Sequence, residues 1–270
     1  MNNLEIHTLI CKRDTRLWVD TLRLFKHYSE LEYTIHVHED GSFDDTDCIY
    51  LEQNLPGVVI HRRDEANKRI VGLLENYPLC THFRLAEHHT IFRIKLFDPF
   101  LFSDSKNVIC MDADILFCKR PDELIYCIKN SIGAYLRDTW SSYCVPFRDE
   151  DGDKSIIRFI NAGLSYIPTD AHYSLDAIEK CLEILYEHGS RGATHPFLEQ
   201  NCLAYMITQQ TIKGHRFLQL KHPDYCVPTF GKFVPDHGCT TLHLNSSPAV
   251  GLYKNDHYQY ELAKICDPSV

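Results

Sequence analysis

One stretch of the chain decides how its fold is interpreted, residues 107–117, which read Asn-Val-Ile-Cys-Met-Asp-Ala-Asp-Ile-Leu-Phe. It begins as a continuous apolar segment, and such a segment with Val and Ile in it is typical of a strand buried on both faces. Asp112 and Asp114 follow, separated by one small residue, and apolar residues resume at once. Two unpaired carboxylates at the end of a buried strand would repel each other and lose hydration. A bound divalent cation would remove both costs.

The paired acids favour a site for Mg²⁺ or Mn²⁺, because carboxylate oxygens are hard ligands that suit these ions. The alternative is a solvated loop after the strand, with both acids facing water. The tripeptide Asp-x-Asp alone would favour that alternative, since it is common. The apolar residues on both sides of the pair shift the balance toward the metal site.

The composition is that of an ordinary globular protein and argues against one class of partner. The 270 residues suffice for one large α/β domain or two small ones with a sizeable core. Hydrophobic residues make up 44% of the chain and charged residues 24%, as is usual for soluble proteins. The formal net charge of −9 argues against nonspecific binding to nucleic acid.

The 12 cysteines are scattered and form no Cys-x-x-Cys pair, which argues against a structural zinc knuckle. Four of them lie in apolar runs, where Cys behaves as a small buried hydrophobe: Cys110, Cys118, Cys181 and Cys202. The first residues carry neither a basic segment nor an apolar one, so no secretory signal is predicted. No apolar run is long enough to span a bilayer. We therefore expect reduced thiols and a cytoplasmic location.

Strand and helix patterns alternate along the first third of the chain. Strands are predicted over residues 5–11, 33–38 and 58–61, and helices over 17–25 and 67–76. This alternation predicts an α/β fold with a parallel sheet and helices on both faces. Ligands bind beyond the carboxyl ends of the strands in such sheets, so the residues after each strand should form a common rim. The predicted rim consists of residues 8–12, 40–42, 62–63 and 112–114.

The rest of the chain is assigned from the same patterns. One helix is predicted over residues 82–100, because no strong breaker precedes Pro99. Within it, Lys95 lies just ahead of the central strand, where a cation could reach an anion. The other predicted elements are a helix starting at residues 119–125, strands over 132–136 and 159–167, helices over 175–187 and 197–206, and strands over 217–220, 225–227 and 240–245.

Several polar residues in these elements have two interpretations. Asn161, next to two small residues in a strand, indicates either close approach of another group to the backbone or a bulge with Asn bonded to its own backbone. Glu199 and Gln200 lie in the first turn of a helix, a normal place for an acid because of the helix dipole. His243 lies between apolar residues, where a histidine is more often a hydrogen-bonded core residue than a ligand.

The ordered set of motifs resembles glycosyltransferases of the GT-A fold, close to the glycogenin and bacterial galactosyltransferase group and to bacterial sugar transferases of polysaccharide clusters. Each motif is weak, but their order and separation together are fairly specific, and they span most of the chain. The matching segments are His-Thr-Leu-Ile-Cys (7–11), His-Glu-Asp-Gly-Ser (38–42), Arg-Ile-Lys-Leu-Phe-Asp (93–98), Met-Asp-Ala-Asp-Ile-Leu-Phe (111–117), Asn-Ala-Gly-Leu (161–164), Glu-Gln-Asn (199–201) and His243.

The resemblance implies a metal-dependent transferase that moves a sugar from a nucleotide-sugar, of the UDP class, to a glycan, lipid or protein acceptor. It implies that Mn²⁺, with Mg²⁺ as the alternative, is held by Asp112, Asp114 and His243. An imidazole beside carboxylates favours Mn²⁺, since it is the softer donor. The implied donor-binding residues are Thr8, Cys11 and Asp40 around the nucleoside, Lys95 and Ala113, with Lys254 as a substitute for the usual diphosphate clamp. The implied residues around the transferred sugar are Asn161, Glu199 and Gln200.

The same resemblance implies a mixed, mostly parallel Rossmann-like sheet in a single catalytic domain over residues 1–270. Residues 1–118 would form its nucleotide-binding half and residues 119–270 its acceptor- and sugar-binding half. Acceptor sites of such enzymes lie on variable loops, here residues 137–156 and 189–196. The sequence departs from the family after His243, where Asn245-Ser246-Ser247-Pro248 replaces the usual Gly and Lys-Pro-Trp.

Two other functions fit parts of the pattern. A haloacid-dehalogenase-like phosphatase also places Asp-x-Asp after an apolar strand, but that family has Thr or Val where Leu116 stands here, and its strand comes near the start of the chain. A non-catalytic module that binds nucleotide-sugars would share the fold without the chemistry, because a fold alone does not fix function.

Overall fold

The fold is that of a computed structural model of the chain, which describes residues 3–86, 91–142, 157–187, 198–221, 223–227 and 239–243. The strands are β1 (Leu4–Ile10), β2 (Thr34–Glu39), β3 (Val59–His61), β4 (Asn107–Met111), β5 (Ile115–Phe117), β6 (Gly133–Arg137), β7 (Ile160–Pro168), β8 (Phe217–Leu220), β9 (Tyr225–Cys226) and β10 (Thr241–His243). The α-helices are α1 (Thr15–Ser29), α2 (Asp45–Asn54), α3 (Arg63–Leu73), α4 (Pro78–Leu85), α5 (Ile94–Leu101), α6 (Asp122–Lys129), α7 (Thr169–His172), α8 (Leu175–Glu187) and α9 (Leu198–Ile212).

Within the described residues, seven strands form the main sheet in the order β3-β2-β1-β4-β7-β6-β8. β7 runs antiparallel to both of its neighbours, and every other neighbouring pair is parallel. The predicted mixed, mostly parallel sheet is therefore confirmed. Because β7 is reversed, its first residues lie at the edge where β4 ends, with Met111 paired to Leu164.

The carboxyl ends of the parallel strands meet at one edge, as the sequence predicts. Ile10 and Glu39 end β1 and β2 side by side, and the backbone N–H of Asp40 donates to the carbonyl oxygen of Ile10 at 3.2 Å. The turn at residues 112–114 follows β4 at the same edge. This edge is called the rim below.

Two apolar cores cover the two faces of the main sheet. One is built mainly on α1, α2 and α6, and the other on α3, α4, α5, α8 and α9. Consecutive residues of β4 alternate between them, because side chains of a strand point to opposite faces. Ile109 and Met111 belong to the first core, and Val108 and Cys110 to the second. The continuous apolar run before Asp112 is thus explained by burial on both faces.

A second, three-stranded sheet of order β5-β10-β9 joins the chain after the aspartates to its late segments. β10 runs antiparallel to β5 and parallel to β9. This small sheet brings residues near 243 to those near 115, more than a hundred positions earlier in the sequence.

The single helix predicted over residues 82–100 is wrong. The chain forms α4, ends it at Leu85, and begins α5 at Ile94 after a short 3-10 turn over Ile91–Arg93. The two helices are held together by the buried Arg84, whose guanidinium donates to both oxygens of Asp98 at 2.6 Å. This long-range pair makes the break stable, and helical periodicity alone does not reveal it.

No disulfide is present among the ten cysteines in the described part of the chain. Of the four cysteines in apolar runs, Cys110, Cys181 and Cys202 are buried and Cys118 is half-buried. Among the residues that the structure describes, none of the helices has the length and apolar character needed to traverse a bilayer.

Candidate metal and donor site

Backbone hydrogen bonds on two sides fix the turn that carries the two aspartates. The N–H of Asp112 donates to the carbonyl oxygen of Gly163 in β7 at 2.7 Å. The hydroxyl of Thr21 in α1 donates to the carbonyl oxygen of Ala113, also at 2.7 Å. The side chains of Asp112 and Asp114 remain 23% and 26% exposed. The turn is therefore anchored while its carboxylates stay within reach of a cation.

His243 joins the aspartates through the small sheet. It pairs with Ile115 across β10 and β5, one residue after Asp114. Its Nε2 atom lies 3.3 Å from Oδ1 of Asp114 and 3.8 Å from Oδ2 of Asp112. One ligand atom from each of the three residues lies within 4.8 Å of the other two. The three predicted metal ligands therefore meet, and two carboxylates with one imidazole form a donor set that fits a divalent metal ion.

Gly163 makes room for His243. A Cβ atom at position 163 would lie 2.4 Å from Cε1 of His243 and 2.8 Å from its Nδ1. No side chain fits such a gap, so the glycine permits the imidazole to pack on the backbone of β7. The N–H of Gly163 donates to Oδ1 of Asn161 at 2.8 Å. Both interpretations of Asn161 thus hold. The imidazole of His243 lies against the backbone at Gly163, and the side-chain oxygen of Asn161 accepts a hydrogen bond from that same backbone.

The charges of this cluster balance one another. Burial alone would raise the pKa of Asp114, but His243 and Lys95 lower it below its usual value. Burial alone would lower the pKa of His243, but the carboxylates of Asp114 and Asp112 raise it. The opposite charges of this cluster therefore stabilise one another, with Lys95 and His243 beside the two carboxylates.

Lys95 lies in the first turn of α5 and reaches an anion, as predicted, but the anion is Asp112. Its Nζ atom donates to Oδ1 and Oδ2 of Asp112 at 2.7 and 2.9 Å. Burial alone would lower the pKa of Lys95, whereas Asp112 raises it. The lysine therefore stays charged and neutralises one carboxylate of the cluster.

Glu199 faces the same region from the start of α9. It is 5% exposed, and its Oε2 atom has no hydrogen-bond partner among the described residues. Burial raises its pKa to about 7, against the opposing effect of the Lys95 ammonium. A small cavity is lined by Lys95, Leu96, Phe100, Cys110, Ala162, Ser165, Glu199 and Leu203. A carboxyl group with a pKa near neutrality beside a cavity is a candidate acid or base.

Two of the predicted sugar-binding residues, Gln200 and Asn161, have their side-chain amides fixed by hydrogen bonds at β7. Gln200 accepts the N–H of Ala162 at 3.1 Å through Oε1, which fixes the orientation of its amide. Asn161 donates from Nδ2 to Oδ2 of Asp138 at 3.2 Å. Sequence reasoning missed Asp138, although it directly follows β6 as Asp40 follows β2.

The predicted nucleoside-binding residues lie along the rim but do not share one environment. Cys11 and Asp40 are half-buried, and each has a local partner: Cys11 donates to Asp14 at 3.0 Å, and Asp40 accepts from the N–H of Ser42 at 2.9 Å. Thr8 is 2% exposed, and its hydroxyl has no partner among the described residues. Lys254 and most of the predicted acceptor loops lie outside the described residues.

One further rim residue, Glu39, has a structural role that the sequence does not predict. Its Oε2 accepts the N–H of Gly41 at 2.7 Å, and its Oε1 accepts the N–H of Arg63 at 2.7 Å. The buried carboxylate thereby joins the turn after β2 to the start of α3. The sequence shows Glu39 directly after the strand predicted over residues 33–38, but its two backbone partners depend on the tertiary fold.

Comparison with known proteins identifies the fold. No family model matches the chain, and no curated protein matches it in sequence. Among solved structures, mouse xyloside xylosyltransferase 1 superposes with a TM-score of 0.57 at 11% identity, over 90% of this chain and 98% of that one. The galactosyltransferase LgtC, solved with donor and acceptor sugar analogues, also gives 0.57 at 11% identity, over 97% and 96% of the two chains.

A third solved structure, the bifunctional glycosyltransferase WbbM, gives a TM-score of 0.58 at 13% identity, over 98% of this chain and 50% of that one. All three are glycosyltransferases. The predicted GT-A fold is therefore confirmed. At these identities the likeness establishes the fold alone, because one fold can carry many different functions.

Proposed function

We propose that the chain is a metal-dependent glycosyltransferase that moves a sugar from a nucleotide-sugar of the UDP class to an acceptor. One observation carries the proposal. Asp112, Asp114 and His243 converge at the carboxyl end of β4 within a GT-A fold, with Lys95 on one of the carboxylates. The rim of an α/β sheet is where such folds bind ligands.

The residues of the cluster would act on the leaving group. Asp112, Asp114 and His243 would hold Mn²⁺, or Mg²⁺ in its place. The bound cation would supply Lewis-acid stabilisation of the diphosphate as the glycosidic bond breaks. Lys95 would place a second positive charge beside the same oxygens. Because Lys95 already contacts Asp112 at 2.7 Å, donor binding would exchange part of this ion pair for contacts with phosphate.

Glu199, Gln200 and Asn161 would hold the transferred sugar near the reacting carbon. If the reaction inverts the anomeric centre, the deprotonated Glu199 would take the acceptor hydroxyl proton, and a pKa of about 7 suits that task at neutral pH. If the reaction retains the configuration, the same carboxylate would position the sugar. In both cases the bond from Gln200 to Ala162 keeps its amide fixed.

The other predicted parts of the donor site belong to this proposal. Thr8, Cys11 and Asp40 would line the nucleoside pocket, Ala113 would contact the donor from the aspartate turn, and Lys254 would serve as the diphosphate clamp. Residues 1–270 would act as a single catalytic domain, with the nucleotide-binding half over 1–118 and the acceptor half over 119–270. A cytoplasmic location, which the sequence predicts, is also part of the proposal.

The test is calorimetric titration of UDP and UDP-sugars with and without Mn²⁺. Asp112→Asn and Asp114→Asn should abolish the metal-dependent part of binding. Asp170→Asn is the matched control, since Asp170 is half-exposed and pairs with Lys106 on the surface. Unchanged affinity in both aspartate variants would refute the metal role. Metal-dependent binding without hydrolysis or transfer to any acceptor would instead favour the non-catalytic module.

A further inference from the structure

A second cluster of metal-binding side chains lies on the face of the sheet that packs against α5. His7 of β1 pairs with His36 of β2, and His38 of β2 pairs with His61 of β3. Their rings stack, with centroids 4.4 Å apart for His7 and His36 and 4.5 Å apart for His38 and His61. We call these four residues the imidazole array. Glu5, two positions before His7 on the same face, completes the cluster.

The inner atoms of this cluster converge on one point. Nε2 of His7 lies 3.0 Å and Nε2 of His36 lies 3.8 Å from Oε2 of Glu5, and one ligand atom from each of the three residues lies within 4.8 Å of the other two. Tetrahedral zinc ligands about 2.0–2.1 Å from the ion stand roughly 3.3 Å apart. The two distances from Oε2 of Glu5, 3.0 Å to His7 and 3.8 Å to His36, lie on either side of this value. Small movements of Glu5 and His36 would therefore place an ion between the three atoms.

The outer atoms of the two ligand imidazoles are also fixed. Nδ1 of His7 lies 2.9 Å from Nε2 of His38, and Nδ1 of His36 lies 3.1 Å from Nε2 of His61. Metal-binding histidines almost always bond their second ring nitrogen to such a partner, which sets the tautomer and the ring orientation. The array thus contains two possible ligands, His7 and His36, and each has one supporting residue, His38 and His61 respectively.

The hydrogen bonds of the metal-free cluster leave one buried atom badly placed. Glu5 can only accept, so His7 donates to it from Nε2 and must accept from Nε2 of His38 through Nδ1. Nδ1 of His38 is then an acceptor as well. It is buried, has no partner among the described residues, and faces Oδ2 of Asp98 at 4.0 Å. Two acceptors facing each other inside a core are unfavourable.

An ion on His7 would remove this conflict without a net change in protons. Nε2 of His7 would give up its proton to bind the ion, and Nδ1 of His7 would take the proton from Nε2 of His38. Nδ1 of His38 would then carry a proton and face Asp98 as a donor.

We propose that Glu5, His7 and His36 form a second metal site, for Zn²⁺ or a similar late transition-metal ion, supported by His38 and His61. Two imidazoles and a carboxylate form a known three-ligand set for zinc and do not suit Mg²⁺ or Ca²⁺. His36 is 12% exposed and lies beside the half-buried His61 of the edge strand β3, which gives the ion a route from solvent. The ion would join β1 to β2.

This site is distinct from the donor centre. Among the residues that the structure describes, two groups of three metal-binding side chains converge, and they share no residue. Glu5 lies near the start of β1, whereas Asp112 follows the carboxyl end of β4, which runs parallel to β1. The proposal therefore goes beyond the proposed transferase activity and does not depend on it.

The test uses the full chain carrying Asp112→Asn and Asp114→Asn, so that the donor centre does not contribute. After treatment with a chelator, Co²⁺ is titrated and then displaced by Zn²⁺. We expect one equivalent of Co²⁺ with the visible absorption bands of tetrahedral coordination, bleached by Zn²⁺. No saturable binding in this background would overturn the proposal.

Three further variants in the same background locate the site. Glu5→Gln keeps the shape of the side chain and should weaken binding at least tenfold, and His36→Gln, at a half-buried position, should do the same and serves if the first variant does not fold. His61→Gln should weaken binding by about 10- to 100-fold, as loss of a supporting residue does. His215→Gln, a half-buried histidine outside the cluster, is the control. Binding that survives Glu5→Gln and His36→Gln would overturn the assignment.

Discussion

The substitution Gly163→Ala tests the geometry of the proposed donor centre with a single methyl group. The added Cβ would lie 2.4 Å from Cε1 of His243 and 2.8 Å from Oδ1 of Asn161. Ordinary carbon contacts are about 3.5–4.0 Å, so the imidazole must retreat by roughly 1 Å. Metal sites tolerate errors of only about 0.2 Å in ligand distance. His243 would then no longer reach an ion held by Asp112 and Asp114.

The expected size of the effect follows from the burial of the site. Overpacking a buried position costs about 1–3 kcal/mol of unfolding free energy. Loss of a supporting contact to a metal ligand weakens binding by about 10- to 100-fold, and displacement of the ligand itself should cost at least as much. We therefore expect Gly163→Ala to fold, with a modestly lower unfolding free energy, and to lose Mn²⁺-dependent affinity for UDP by at least that factor. Denaturant unfolding of the metal-free protein and calorimetry with Mn²⁺ measure the two effects separately.

Two further variants show whether the clash is the cause. Gly72→Ala is the matched control, because it lies in α3 with no atom within 4 Å of the added Cβ, and it should gain about 0.5–1 kcal/mol of stability without changing affinity. In a His243→Ala background, Gly163→Ala should cause little further loss of affinity, since the clashing ring is gone. Affinity like that of the wild type in Gly163→Ala, or an equal loss in both backgrounds, would refute the reasoning.

Three other substitutions probe the charges of the site and its support. Glu199→Gln should raise the unfolding free energy of the metal-free protein at pH 8 by up to about 3 kcal/mol and leave it unchanged near pH 4. Burial raises the pKa of Glu199 from 4.5 to about 7, so the folded state loses stability as the pH rises through this range. An equal change in unfolding free energy at pH 8 and pH 4 would contradict this explanation. Lys95→Met should tighten binding of Mn²⁺ alone by about tenfold, because the substitution removes the ammonium that neutralises Asp112. Weaker Mn²⁺ binding in calorimetry would contradict this prediction. Arg84→Met should lower the unfolding free energy by about 3–5 kcal/mol in denaturant, because Asp98 is left charged and buried, and a loss below 1 kcal/mol would show that the pair is not needed.

The sequence predicts those parts of the fold that depend on neighbours along the chain. The apolar run before Asp112 predicts a doubly buried strand, and the alternating residues of β4 fill both cores as that pattern requires. Alternation of strand and helix predicts the parallel strands and their common rim. The apolar residues around Asp112 and Asp114 predict these two as metal ligands, and the resemblance adds His243. The structure brings the three together without testing their role.

Other features depend on contacts that no local pattern contains. The break between α4 and α5 is stabilised by Arg84 and Asp98, which are 14 positions apart and both charged, and a periodicity search treats both as surface residues. The need for glycine at position 163 arises from His243, 80 positions later. The imidazole array needs the register of β1, β2 and β3, since a shift of one residue in any strand would move its histidines to the other face.

The reversed direction of β7 has a consequence for how this fold can vary. Its first residues, not its last, reach the rim, and the strand is buried along its whole length. Adding one residue between Asn161 and Leu164 would turn the side chain of Asn161, which accepts a hydrogen bond from Gly163, to the other face of the sheet, because side chains alternate along a strand. Residues added ahead of Ile157 would leave both residues in place. Proteins with this arrangement can therefore lengthen or replace the segment that precedes β7 while the backbone beneath the imidazole stays the same.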